Sequence, residues 1–250
     1  MTRFLPLVLL AAVGCSNTTG GALITLPFSA GGVDRADAGP LSFTSASGWA
    51  VTLDEGRVAL GPFYFNVSPP QTGALQGGLV IVQVTAQTVV DVLDPTLKAV
   101  VAGANGQTGT AVAVEIGLLP PDESQSVVDV ELLTTGVAYV RGTAVQGSTT
   151  VPFAGVAAID LRLATPQTPP AALQRVNGAS VNLVFEPSGQ ALTLRVDPTT
   201  WFDTADFAPL LQGSPVDGYY GWDIDSSFNQ AVLTGLKQTS GVYTFLLVPR

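Results

Sequence analysis

The chain has 250 residues, of which 46% are hydrophobic and 12% charged, and its formal net charge is −9. So much apolar content with so little charge excludes disorder over most of the chain, because disorder requires the opposite balance. The sequence contains no His and one Cys, which excludes a Ser-His-Asp triad, a Cys-His pair and an imidazole metal ligand. We also expect no nucleic-acid partner, since an acidic surface repels phosphate.

Residues 1–15 have the features of a lipoprotein signal peptide. Arg3 precedes an apolar stretch, residues 4–13, which is shorter than the roughly 20 residues that a membrane-spanning helix needs. The stretch ends in Ala12-Val13-Gly14-Cys15, which resembles the lipobox of bacterial lipoproteins. In that family the signal is cleaved before the Cys, and the Cys is acylated on its thiol and on its new amine. The resemblance implies that residues 1–14 are removed and that Cys15 carries palmitate-type acyl chains.

An acylated Cys15 predicts both the partner and the location of the protein. Several acyl chains hold a protein stably on a lipid bilayer, whereas one chain binds only marginally. Ser16 stands where an Asp usually retains a lipoprotein in the inner membrane. By that resemblance we expect an outer-membrane lipoprotein of the cell envelope, facing the periplasm or the cell surface. No thiol then remains for a disulfide, so the domain must be stable through its core alone.

The remaining chain divides into a predicted tether and a predicted domain. Residues 15–38 are rich in Gly, Ser, Thr and Asp, a composition typical of a flexible tether. Residues 39–250 are predicted to form one domain. Boundaries within 120–126 or 166–170 are the alternatives, because Pro residues interrupt the pattern there.

Apolar residues recur with a period of two along this domain, as half-buried strands require. The predicted strands are 49–54, 57–67, 79–85, 89–93, 112–118, 127–133, 137–145, 149–153, 156–163, 181–185, 192–196 and 242–248. Gly61-Pro62 predicts a bulge or an edge, because Pro cannot donate to a strand ladder. Residues 146–148 predict a hairpin turn, and Asn177-Gly178 predicts a type I′ turn. Short helices are predicted over 204–211 and 226–236, the second behind a Ser N-cap.

About a dozen short strands, one or two short helices and no alternation of strand and helix predict an all-β fold. The specific prediction is an antiparallel β-sandwich, Ig-like or jelly-roll-like.

Acidic and aromatic side chains concentrate between residues 201 and 225. Carboxylates at Asp203, Asp206, Asp223 and Asp225 are the calcium candidates, since Ca²⁺ prefers oxygen ligands. Rings at Trp201, Tyr219, Tyr220 and Trp222 are the binding candidates, because an aromatic face can stack on a sugar. The structural alternative is that Asp residues form turns and caps and that aromatic residues fill the core. For Trp201 we favour a buried position between the sheets.

Glu115 and Arg195 each interrupt a strand pattern that is otherwise apolar on one side. Each could be half of a buried ion pair, but we expect them on a solvated strand face.

Four stretches resemble certain uncharacterised myxobacterial lipoproteins, and together they span most of residues 42–250. They are 47–65 (SGWAVTLDEGRVALGPFYF), 142–153 (GTAVQGSTTVPF), 196–207 (VDPTTWFDTADF) and 241–249 (GVYTFLLVP). The VDPxxWFD element is also similar to copper-binding partner proteins of methanobactin producers, which are β-sandwiches. Those proteins bind copper partly through His, which this chain lacks, so the resemblance implies fold and location but no metal or activity.

Two functional hypotheses follow from the sequence. The first is a membrane-anchored, non-catalytic module without a cofactor, which binds an envelope protein or a glycan or has a structural role. The alternative is a carbohydrate-active or calcium-dependent enzyme that uses the segment from Asp203 to Asp225. An enzyme of that kind needs two carboxylates that converge in a pocket.

Overall fold

The computed structural model describes residues 20–69 and 78–250. The predicted signal peptide and Cys15 lie outside the described residues. Thirteen strands and three short α-helices make up the described chain, which confirms the all-β prediction.

The strands belong to two sheets that pack face to face. In chain order they are β1 (Leu23–Gly31), β2 (Leu41–Thr44), β3 (Ala50–Leu60), β4 (Phe63–Asn66), β5 (Val80–Val84), β6 (Thr88–Asp91), β7 (Lys98–Gln107), β8 (Gly109–Gly117), β9 (Ala138–Gln146), β10 (Thr149–Ala157), β11 (Arg175–Phe185), β12 (Gln190–Val196) and β13 (Tyr243–Pro249). The helices are α1 (Val127–Leu132), α2 (Pro170–Leu173) and α3 (Ser227–Leu236). Single 3-10 turns occur at Leu161–Leu163, Thr199–Phe202 and Ala208–Gln212.

The larger sheet has eight strands in the order β11-β8-β4-β5-β7-β1-β12-β13. All neighbours in it are antiparallel except β1 and β12, which run parallel. The smaller sheet has the order β10-β9-β3-β2, and β6 pairs with the second half of β3. The chain crosses between the sheets six times, and two of the crossings are short: β3 continues into β4 through Gly61-Pro62, and β5 continues into β6.

One hydrophobic core lies between the sheets and is rich in phenylalanine. Phe63 packs edge-on against Phe28 and Phe245, and Phe65 packs in the same way against Phe185 and Phe245. A second aromatic group joins the smaller sheet to α3 and the 3-10 turns; its members are Trp49, Phe153, Phe202, Phe207 and Phe228. Offset, tilted and edge-to-face aromatic pairs of these kinds add stability beyond the area that they bury.

The predicted tether is wrong for residues 23–31, which form β1. Its even-numbered residues, from Ile24 to Ala30, point inward and are buried, while the intervening positions face outward. This alternation has the same period of two that identified the later strands. The Gly and Ser content around it concealed the pattern, although β1 lies between β7 and β12 near the centre of a sheet.

The predicted strand over 127–133 is wrong, because residues 127–132 form the helix α1. The Ser126 hydroxyl accepts a hydrogen bond from the backbone N–H of Asp129 and donates to the Asp129 carboxylate at 2.6 Å. This reciprocal cap starts a helix in which Val127 and Val128 stay exposed, so local capping overrides their β propensity. The predicted strand over 156–163 also ends early, at Ala157, because Asp160 caps a 3-10 turn.

Asn177-Gly178 is a β-bulge inside β11 and not the predicted hairpin turn. The pairing with β8 shifts between Val176 and Ala179, so that two residues of β11 lie opposite the single Glu115 of β8. Only Gly178 has a positive φ, of 81°, whereas a type I′ turn needs positive φ at both central residues. The predicted helix over 204–211 is likewise reduced to the 3-10 turn that begins at Ala208.

The predictions for the other hairpin and the second helix are confirmed. The two residues Gly147-Ser148 join β9 to β10, with Gln146 paired to Thr149. The helix over 226–236 is α3, and its N-cap Ser226 accepts a hydrogen bond from the N–H of Asn229.

Candidate functional site

A pocket of about 420 Å³ lies on the outer face of the smaller sheet. Strands β9 and β10 form its floor, and the segment 216–221 forms its wall. Its lining residues are Tyr139, Arg141, Ala154, Gly155, Val216, Asp217, Tyr219 and Gly221. The combination of two tyrosines, one arginine and one aspartate makes it the best candidate for a binding site in the described chain.

Strand alternation directs the two floor side chains outward. Residues 138, 140, 142 and 144 of β9 are buried in the core, so Tyr139 and Arg141 point to the opposite face, half-buried. On the neighbouring strand, Glu55 pairs with Arg141 across the antiparallel ladder of β3 and β9. Their charged groups approach to 3.4 Å, which places a carboxylate beside the guanidinium.

A tight hairpin builds the wall of the pocket. The backbone N–H of Val216 donates to the carbonyl of Tyr219 at 2.9 Å, and the reverse bond measures 3.0 Å. Both central residues have positive φ, 51° at Asp217 and 85° at Gly218, which defines a type I′ turn. This turn brings the ring of Tyr219 back over the sheet, to 5.8 Å from the guanidinium carbon of Arg141.

The wall is attached to the exposed edge of β10. The N–H of Tyr220 donates to the carbonyl of Pro152, and the N–H of Ala154 donates to the carbonyl of Tyr220. Behind the wall, the ring of Trp222 lies 2.9–3.0 Å from the point where a Cβ on Gly155 would stand. A side chain at Gly155 would therefore displace the indole, so glycine at this position lets Trp222 lie against the strand.

The electrostatics of the pocket centre on Arg141. Its guanidinium lies between the carboxylate of Glu55 and the face of Tyr219, an arrangement that holds an arginine in one orientation. Its Nε atom is buried and has no hydrogen-bond partner within the described chain.

Burial raises the pKa of Tyr139, and the nearby charge of Glu55 raises it further. Tyr139 therefore keeps its proton at neutral pH and can donate a hydrogen bond.

This arrangement is suited to binding. It presents aromatic surface from two tyrosines, an oriented guanidinium and the exposed carboxylate of Asp217. The Glu55 carboxylate is already engaged by Arg141, so the pocket has no pair of free carboxylates of the kind that glycoside hydrolysis uses.

The four calcium candidates do not form a common site. Asp203 accepts a hydrogen bond from the N–H of Ala46 at 3.2 Å, and Asp206 accepts one from Ala208 at 3.1 Å. Asp223 and Asp225 are exposed near the start of α3. Over residues 20–69 and 78–250, no three metal-ligating side chains come close enough to hold an ion.

The structure places the four aromatic candidates in different environments. Trp201 is fully buried, as expected for a residue between the sheets, and its backbone packs against Gly235 of α3. Tyr219 lies in the pocket, Tyr220 holds the wall to β10, and Trp222 packs on Phe228 with ring centroids 4.8 Å apart. The candidate segment therefore supplies one wall of the site.

Sequence reasoning missed the floor of the pocket. Tyr139 and Arg141 occupy alternate positions in a strand that was predicted correctly, but an outward Tyr and Arg on a strand are ordinary surface residues. The signal that could have located the site is Asp217-Gly218, a pair typical of type I′ hairpins, between a valine and two tyrosines.

Comparisons with known proteins identify no family for this chain. No protein-family model matches it, and no curated protein sequence matches it significantly. Among solved structures it is weakly similar to MbnP from Methylosinus trichosporium. The sequence identity is 12%, the TM-score is 0.33, and the alignment covers 84% of this chain and 86% of that one. The resemblance to myxobacterial lipoproteins stays a prediction.

In the described part of the chain, no helix is long and apolar enough to cross a membrane.

Proposed function

We propose that this protein is a lipoprotein of the bacterial cell envelope whose β-sandwich binds a neutral glycan, without catalysis, in the pocket around Arg141. The observation that carries the proposal is the fixed arrangement of Arg141 between Glu55 and the ring of Tyr219. The side chain of Arg141 is 40% exposed and lines the pocket beside aromatic surface.

The charge balance of the pocket favours an uncharged ligand. Glu55 offsets the charge of Arg141, and Asp217 adds a further negative charge at the rim. An anionic ligand would meet no free positive charge there. A sugar ring fits better, because its C–H face can stack on a tyrosine while its hydroxyls pair with guanidinium, phenol and carboxylate groups.

The absence of catalysis is also part of the proposal. Hydrolysis of a glycosidic bond needs an acid and a second carboxylate placed across the bond. Two observations support a binding role. The carboxylates of the candidate segment are dispersed, at Asp203, Asp206, Asp223 and Asp225, and the Glu55 carboxylate is engaged by Arg141.

Binding is tested with a glycan array of bacterial envelope oligosaccharides, followed by fluorescence titration with the glycans that bind. Trp222 lies against the pocket, whereas Trp49 and Trp201 are buried in the core, so a bound ligand should change the Trp222 emission. We expect Arg141→Met and Tyr219→Ala each to raise the dissociation constant at least tenfold. Lys98→Met, which alters an exposed cation outside the pocket, serves as the control. An array without binders, or affinities unchanged in both pocket variants, would refute the glycan proposal.

The anchor is tested separately through Cys15. Cys15→Ser removes the thiol that accepts the acyl chains, so the protein should move from the detergent phase to the aqueous phase on Triton X-114 partitioning. Unchanged partitioning would refute anchoring through Cys15 and leave the glycan site unaffected.

A further inference from the structure

The topology of the larger sheet brings several chain segments together at one of its two ends. Leu23, at the start of β1, pairs with Gln107 at the end of β7. Phe185, at the end of β11, pairs with Gly109 at the start of β8. The same end of the sheet contains four further strand ends: the end of β4 beside the start of β5, and the start of β12 beside the end of β13. We call this end of the larger sheet the uncharged end.

The segments that meet at this end carry almost no charge. Residues 20–33, 58–69, 78–90, 99–114, 176–185 and 238–249 contain no Asp, Glu, Lys or Arg. Among the described residues of these strand ends, the charges are Glu186 and the terminal Arg250. At the opposite end of the same sheet, charged side chains lie at or next to the ends of five of the eight strands, β1, β7, β8, β11 and β12: Asp34, Arg35, Asp94, Lys98, Glu115, Arg175, Arg195 and Asp197.

Large apolar side chains are exposed at the uncharged end. Leu23 is 84% exposed and Leu79 is 69% exposed, and Val67 and Val80 are also on the surface. Val67 and Leu79 are joined by a backbone hydrogen bond of 3.0 Å. Leu23, Leu79 and Val80 line one shallow groove of about 640 Å³. These four residues form the apolar rim.

The groove beside the rim is lined by polar groups that carry no charge. Thr25, Gln83, Asn105 and Gln107 supply hydroxyl and amide groups, which can hydrogen-bond to ester and headgroup oxygens without the cost of removing a charge from water. Apolar side chains next to uncharged hydrogen-bonding groups match the boundary between lipid headgroups and acyl chains.

We propose that the uncharged end lies against the lipid bilayer, with the apolar rim in contact with the boundary between headgroups and acyl chains. The inference rests on the proposed anchor at Cys15. Only seven residues lie between Cys15 and Leu23, and the eight Cα-to-Cα steps that join them extend over at most about 28 Å. The anchor therefore holds this end, rather than the charged one, close to the membrane.

The charge distribution supports the same orientation. Without residues 1–14 the chain keeps nine Lys and Arg against 19 Asp and Glu, so the domain as a whole is repelled by anionic headgroups. An uncharged surface toward the membrane limits that repulsion, because the charged side chains of the larger sheet then lie at its far end.

The test measures lipid contact at Leu79 in the full chain, produced in a bacterium that acylates lipoproteins. With Cys15 acylated, Leu79→Cys supplies the only free thiol, which is labelled with bimane. The protein is then incorporated into vesicles of phosphatidylethanolamine and phosphatidylglycerol that contain doxyl-labelled phosphatidylcholine. Leu97→Cys is the matched control, because Leu97 is an exposed leucine that precedes β7 at the opposite end of the sheet. We expect the doxyl lipid to quench bimane at position 79 at least threefold more than at position 97.

The outcomes separate this inference from the anchor itself. The mass of the N-terminal peptide shows whether Cys15 is acylated. Equal quenching at positions 79 and 97 in acylated protein overturns the membrane-facing orientation and leaves the anchor intact. An unacylated Cys15 overturns the anchor and, with it, this inference. A third outcome is that bimane at position 79 is shielded from solvent but not quenched by the doxyl lipid, and that the protein sediments as a dimer. The rim is then an interface between copies, which also overturns the membrane-facing orientation. Leu23→Cys gives a second position on the rim if Leu79→Cys fails to fold.

Discussion

The guanidinium of Arg175 donates a hydrogen bond from Nη1 to Oε2 of Glu115 at 2.8 Å, and the pair joins the start of β11 to a buried position in β8. Glu115 lies opposite the bulge at Asn177-Gly178, and its second carboxylate oxygen is 3.5 Å from the amide of Asn66. The expectation that Glu115 lies on a solvated face is therefore wrong. Arg195 is partly buried, and its guanidinium donates to the backbone carbonyl of Pro95.

Removing the cation of this pair should destabilise the domain. Arg175→Met leaves Glu115 buried without its counter-charge, and we expect a loss of about 2 kcal/mol, reduced from the value for a fully buried pair because Arg175 is partly exposed. Urea denaturation measures the change. Lys98→Met, which breaks the more exposed ion pair with Asp94, should cost less than about 0.5 kcal/mol. Equal losses in the two variants would contradict this account of Glu115.

Asn229 should be among the most sensitive polar residues of the fold. Its fully buried amide accepts from the N–H of Ala158 and donates to the carbonyls of Ala158 and Ile224, at 2.7–3.0 Å. Asn229→Ala leaves these backbone groups without partners, and we expect a loss of about 3 kcal/mol. The exposed Asn182 provides a matched Asn→Ala control, with an expected change below about 0.5 kcal/mol. The prediction fails if both variants unfold at the same urea concentration.

Trp201→Ala should lower the free energy of unfolding by about 3–5 kcal/mol, through lost burial and the cavity that remains. Trp201 is completely buried beneath α3. Chemical denaturation of the whole domain measures the effect, with the exposed Val216 changed to Ala as a control. A change below about 0.5 kcal/mol for Trp201→Ala would show that this side chain is not part of the core.

Stability should fall at alkaline pH because of Tyr243. Burial raises the pKa of Tyr243 well above its ordinary value, and its hydroxyl donates to the carbonyl of Leu236 at 2.9 Å. Above about pH 10 the unfolded chain loses this proton while the folded chain keeps it, so folding loses up to about 1.4 kcal/mol per pH unit. Tyr243→Phe removes this dependence, so unfolding free energies measured from pH 9 to 11 should decline less steeply in the variant. Equal slopes would contradict the assignment.

The sequence predicts most of the strands because alternation of apolar residues follows directly from burial of one sheet face. It fails where local hydrogen bonds compete with that pattern. Ser126 caps a helix over a valine-rich stretch, and Gly178 absorbs a bulge rather than a turn. In β1 the alternation was present, but its glycine-rich surroundings suggested a tether.

The sequence predicts the wall of the candidate site but not its floor. It singles out Tyr219 because this residue lies in a segment with an unusual density of rings and carboxylates. Its partner Arg141 comes from a strand more than seventy positions earlier, and only the docking of Tyr220 on β10 brings the two together. Long-range pairing of this kind leaves no local pattern in a single sequence.

The position of β1 has a consequence for how the chain acquires its structure. Phe28 of β1 pairs with Leu192 of β12. The first strand of the described chain therefore cannot form this pairing until one of the last strands has been synthesised. Pairings between residues so far apart in the chain slow folding, because a long loop must close before its contacts form. The larger sheet therefore completes only after nearly the whole polypeptide has been made. Until β12 has been made, β1 lacks one of its two neighbours, a delay that would help keep the chain in the unfolded form that the proposed export through a secretion channel requires.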